Sequence, residues 1–120
     1  MSNQIEHKFS IKRVTKTSDD DYIKALRIYN DTTPFEIRTP TNEITYWVNK
    51  QKLGTPYEIY AFILYLNDEV IGLSMTTYIK RTKVVVDEYL AVYDHYRIQT
   101  IFLVYESLIQ NYYKESGIEI

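Results

Sequence analysis

Cysteine is absent from this 120-residue chain, which excludes disulfides, thiolate metal sites and a cysteine nucleophile. Glycine and proline occur three times each, too few for a disordered or low-complexity chain. The two histidines, His7 and His95, stand outside any spaced His/carboxylate cluster, so the sequence offers no metal site. Also missing are a Gly-x-Ser-x-Gly turn, a phosphate loop and a dinucleotide glycine fingerprint. No apolar run approaches the roughly eighteen residues of a membrane span, and MSNQIEHKFS lacks the apolar stretch of a secretory signal. A formal net charge of −2 supplies no general field for DNA or RNA. These absences predict a cytoplasmic chain with no nucleic-acid partner and no membrane.

What remains is the composition of an ordinary globular domain, 45% hydrophobic and 25% charged, at a length that fits one domain spanning residues 1–120. Thirteen tyrosines are the unusual feature. They suit half-buried strands and helix edges, or else an aromatic binding or dimer face.

Hydrophobic period orders the elements. Phe9 to Val14 alternates apolar and polar residues, as a strand with one buried face does. Ser18 as a cap, followed by Asp19, Asp20 and Asp21, opens a helix whose apolar side is Tyr22, Ala25, Leu26 and Tyr29. Asn30 to Pro40 reads as a loop. A second helix starts at Thr39 or Thr41, buries Ile44, Trp47 and Val48, and closes at Gly54 and Pro56. Tyr57 to Leu66 and Val70 to Lys80 form a hairpin about Asn67-Asp68-Glu69. After the polar turn Lys80 to Lys83, Val84 to Val92 makes a third meander strand, bent in its middle. From about Tyr96 to Glu115, Ile98, Ile101, Phe102, Tyr105, Leu108, Ile109 and Tyr112 recur at helical spacing, and Gly117 is placed to end the helix. Ile118-Glu119-Ile120 looks like the opening of another strand.

The order strand, two helices, antiparallel meander, long helix resembles the N-terminal two-thirds of the GNAT acyltransferase superfamily, whose members transfer an acyl group from acyl-CoA to an amine. Tyr89-Leu90-Ala91-Val92 resembles that family's fourth strand, Arg97 the leading basic residue of its coenzyme loop, and Gly72 the glycine of its hairpin. The resemblance implies an α/β (α+β) fold with a mixed, mostly antiparallel sheet flanked by helices, its C-terminal part missing. It further implies acetyl-CoA held at Leu90, Val92, Arg97, Ile98, Gln99, Thr100 and Phe102, with an amine acceptor. Where the family carries glycines, this chain has Ile98, Thr100 and Phe102, and side chains obstruct the approach of a phosphate to backbone.

For amine acyl transfer, a carboxylate or imidazole near the end of the fourth strand would take the amine's proton. Glu88 and His95 are the catalytic candidates, with Asp87 beside them; the alternatives are a solvated strand face for the acids and a turn or cap residue for His95. Arg97 at a helix start opposes the helix dipole, so it calls for a phosphate or a carboxylate such as Asp94. A fourth strand lacking its neighbour exposes backbone hydrogen-bonding groups, which predicts a homo-oligomer or completion by another polypeptide. A non-catalytic GNAT-like module working through protein contacts is the second functional expectation.

Overall fold

The computed structural model describes residues 8–50, 55–96 and 99–120. Along the chain run β1 (Phe9–Arg13), α1 (Asp20–Thr32), a 3-10 turn (Phe35–Ile37), α2 (Thr41–Lys50), β2 (Tyr57–Leu66), β3 (Glu69–Ile79), β4 (Val84–Val92), a second 3-10 turn (Asp94–Tyr96) and α3 (Gln99–Glu115). The four strands lie in the order β1-β2-β3-β4, and every pair is antiparallel. Among the described residues the sheet is therefore antiparallel throughout rather than mixed. Ile118 to Ile120, expected to begin a strand, takes no regular structure. Instead Tyr78 Oη donates to the Glu119 carbonyl at 2.5 Å and Lys83 Nζ lies 3.0 Å from Glu119 Oε2, which lays this segment across the start of β4.

Strand alternation splits the core into two layers. Ile59, Ala61, Ile63, Leu73, Met75 and Ala91 face α1 and α2, packing on Tyr22, Ala25, Tyr29, Ile44 and Val48. Tyr60, Phe62, Leu64, Tyr78 and Val92 face α3. Both faces of β2 and β3 are covered, which is why these strands read as near-continuous apolar runs. Each fully buried Ile, Leu, Val, Met or Phe side chain among them contributes about 1.5–3 kcal/mol.

Local chemistry sets the helix ends. Asp19, not Ser18, caps α1, its carboxylate accepting from the Asp21 amide at 2.9 Å. Pro40 stands before α2 and its carbonyl accepts from Glu43 and Ile44. The helix spans Thr41–Lys50; Ile44 and Val48 are buried and Trp47 partly so, while Gly54 lies outside the described residues. Gly117 ends α3 in the left-handed region at φ 74, with the Ile118 amide donating to the Tyr113 carbonyl at 2.9 Å. The stretch expected as loop from Asn30 is helical to Thr32 and holds a 3-10 turn besides.

The buried stripe of α3 differs from the expected one. Ile101, Tyr105, Ile109 and Tyr113 are the buried residues, in steps of four, while Leu108 and Tyr112 are half-buried and Phe102 is 44% exposed. Tyr113 joins the stripe because Thr76, fully buried in β3, shares a 2.6 Å hydrogen bond with its hydroxyl. Ile98, also placed on that stripe by the sequence, lies outside the described residues.

Two bulges shape the sheet. Between β2 and β3 the register shifts after Leu64, setting Ile71 and Gly72 together against Leu64. A Cβ at position 72 would lie 2.2 Å from the Ala91 carbonyl oxygen and 2.7 Å from Val92 Cγ1, so only glycine fits there. Between β3 and β4 the shift leaves Glu88 as the extra residue, Met75 pairing with Tyr89 and Thr76 with Asp87. This is the bend that the sequence of the third meander strand predicts.

Candidate functional site

The bulge at Glu88 divides β4. Before it, Val85 and Asp87 share the α3 side of the sheet; after it, Leu90 and Val92 return to that side and Tyr89 and Ala91 turn to α1. Because α3 covers one side of β4 and no strand borders its outer edge among the described residues, a groove runs between the strand and the helix. Two hollows of about 250 and 260 Å³ share Asp87, Glu106 and Ile109. Toward α3's start the groove is lined by Ser74, Leu90, Phe102 and Tyr105; toward its end by Val85, Gln110, Tyr113 and Ile120. Two exposed carboxylates thus stand on a mainly apolar floor, with no cation among the lining residues.

The expected site residues are only partly brought together. Leu90 and Phe102 meet in the groove, with Asp87 near its middle. Val92 is fully buried in the α3 core, so its side chain offers nothing to a ligand and only its backbone bears on the site. Gln99 and Thr100 form the start of α3. Arg97 and Ile98 lie outside the described residues.

Glu88 and His95 are not joined. The bulge turns Glu88 to the α1 side, where it accepts from Thr77 Oγ1 at 3.1 Å. His95 sits in the Asp94–Tyr96 turn, its ring stacked on Tyr93 at 5.7 Å and tilted against Tyr96 at 4.1 Å. The strand residues Tyr89–Val92 separate the two, roughly 13 Å of extended chain, so they cannot act on one proton directly. Glu88 also faces away from the groove, which leaves Asp87 as the β4 carboxylate that meets it.

Glu106 is the groove residue that sequence reasoning misses. It follows Phe102 and precedes Gln110 at steps of four, a second stripe beside the buried one on α3. That periodicity is present in the sequence, but it is hidden when Phe102 is assigned to the core.

Phenols wall the site on both sides. Burial raises the Tyr105 and Tyr113 hydroxyls above their ordinary 10.0, holding both neutral; Tyr105 donates to the Tyr65 carbonyl at 2.8 Å. On the α1 side Tyr89 meets Thr39 Oγ1, and the Thr39 amide donates to Tyr29 Oη at 2.9 Å. These contacts tie the α1–α2 connection to β4. Burial also raises the Tyr89 hydroxyl, the hydrogen bond with Thr39 opposing it.

Comparisons with protein-family models, curated proteins and solved structures return no significant match. Among the described residues no cluster of His, Cys, Asp or Glu fits a metal ion, and no helix is long and apolar enough to cross a membrane.

Proposed function

We propose that the chain is an acyl-CoA-dependent N-acyltransferase-like domain of GNAT type, with the acyl thioester lying along the β4–α3 groove. The observation that carries this reading is the bulge at Glu88, which bends β4 so that its second half runs into the turn before α3 with a groove beside it. The first-turn amides of α3 lack intrahelical partners and suit a pyrophosphate. The groove itself, with Leu90, Phe102 and Ile109 against Asp87 and Glu106, fits the thioester arm and repels phosphate.

In the transfer, the acceptor nitrogen bonds to the acyl carbon, the carbon–sulfur bond breaks, and the thiolate leaves with the electron pair. Asp87 and Glu106 attract the cationic form of the amine, and either carboxylate can take its proton at the groove. His95 lies beyond the end of β4 and is not among the residues that line the groove.

Calorimetric titration with acetyl-CoA tests the reading. Micromolar binding that weakens with 3′-dephospho-CoA and with Arg97→Ala supports it; no heat at millimolar ligand overturns it.

A second reading, a GNAT-like scaffold working through protein contacts, is favoured by the outer edge of β4, where Val84 and Val86 are 46% and 37% exposed.

A further inference from the structure

The sheet has two outer strands, and they are protected differently. β1 carries Lys12 and Arg13 within five residues, and charged side chains of this kind discourage strand addition. The first half of β4 is Val84-Val85-Val86-Asp87, with no cation in the strand and no strand neighbour outside it among the described residues. Cations stand instead in the turn just before it, Lys80-Arg81-Thr82-Lys83. The stretch is therefore positive at one end, apolar in its middle and negative at the other.

We propose that the outer edge of β4 pairs with β4 of a second copy of this chain, antiparallel, about a two-fold axis through Val85. In this register Val84 stands opposite Val86 of the second copy and Val85 opposite itself. Asp87 then lies beside the turn at residues 80–83 of the second copy, where Lys83, at φ 57, ends the paired stretch and carries its ammonium next to that carboxylate. The pairing is isologous, so each lysine–aspartate match occurs twice, once at each end of the valine stretch. Neighbouring registers lose this complementarity. Centring on Val86 sets Val84 against Glu88 and Val85 against Asp87, and centring on Val84 sets Val85 against Lys83.

Side-chain direction agrees with the pairing. Val84 and Val86 are both exposed on the α1 side of the sheet, so opposing them continues one apolar surface across the axis. Lys83 holds Glu119 at 3.0 Å in the single chain, but the Glu119 side chain is 75% exposed. Such a surface pair adds little, and Lys83 can exchange it for Asp87 of the second copy. The bulge at Glu88 bends β4 away past the paired segment, leaving Leu90 and the part of the groove at the start of α3 open. This pairing goes beyond the acyltransferase reading and gives the second reading its occupant. It is measured by mass rather than by ligand binding, so either can fail without the other.

Sedimentation equilibrium of the chain across micromolar to sub-millimolar concentration tests the proposal. A monomer–dimer equilibrium is expected, weakened at least tenfold by Asp87→Lys and restored when Lys83→Asp is added. Because the chain has no cysteine, single cysteines then fix the register. Val85→Cys is expected to oxidise to a covalent dimer. Val84→Cys is expected to stay monomeric under the same treatment, its counterpart being a diagonal neighbour about 7–8 Å away. A chain that remains monomeric, a dimer indifferent to Asp87→Lys, or cross-linking at Val84→Cys equal to that at Val85→Cys each overturns the proposal.

Discussion

Replacing Gly72 with alanine tests how the sheet positions the site. In an unconstrained strand the change is favourable by roughly 0.5–1 kcal/mol, because glycine is more costly to order. At position 72 the added carbon falls 2.2 Å from a backbone oxygen of β4 and 2.7 Å from a buried methyl. Neither neighbour gives easily, since Ala91 is held in the β3–β4 ladder and Val92 is fully buried against α3. To reach ordinary contact β4 must move by about 1 Å, beyond the strain of inserting a methylene into a packed core, which costs roughly 1–3 kcal/mol. A loss of about 3 kcal/mol is therefore expected for Gly72→Ala. For a domain of this size that corresponds to a melting temperature lower by about 12 °C. Thermal unfolding followed by circular dichroism reads the shift. An unchanged or raised melting temperature would refute the assignment of Gly72 to the bulge.

Tyr113→Phe is expected to cost about 1–3 kcal/mol, because it strands the buried Thr76 hydroxyl, and adding Thr76→Val should recover much of that loss; denaturant melts of the single and double variants give the comparison. Stability should hold up to about pH 10 and fall as pH rises from there through 12. Burial, aided by Glu58, pushes the Tyr60 hydroxyl up to about 12, and burial raises those of Tyr105 and Tyr113 as well. The unfolded chain therefore releases protons first, and each such phenol lowers stability by up to about 1.4 kcal/mol per pH unit in that window. Urea midpoints between pH 8 and 12 measure the slope.

Element types and order follow from the sequence because the patterns are local. Period two in β1, the turn at Asn67 and Asp68, both with positive φ, and the helical spacing of α3 each mark their element. Residues that depend on partners distant in sequence are harder to place. Phe102 is as apolar as Ile101, and only the placement of α3 on the sheet decides that Ile101 enters the core while Phe102 is left lining the groove beside Leu90. Tyr113 is buried because Thr76 waits for its hydroxyl, a pairing across 37 positions that no local pattern encodes. The bend in β4 is visible as polar Asp87-Glu88 interrupting an apolar run, yet the face that each acid takes is set by the pairing with β3. Glu88 thereby leaves the groove that Asp87 enters, and Glu106, unremarkable in sequence, faces Asp87 across it.

The central claim is that an acyl thioester lies along β4 with its phosphates at the start of α3. Titrating the isotopically labelled chain with acetyl-CoA, while following each backbone amide by NMR, tests this most directly. The account predicts shifts concentrated at Leu90–Val92 and at residues 97–102, saturating at micromolar ligand, with Phe9–Arg13 unmoved. Spectra unchanged at millimolar acetyl-CoA, or shifts centred elsewhere than the β4–α3 groove, would contradict it.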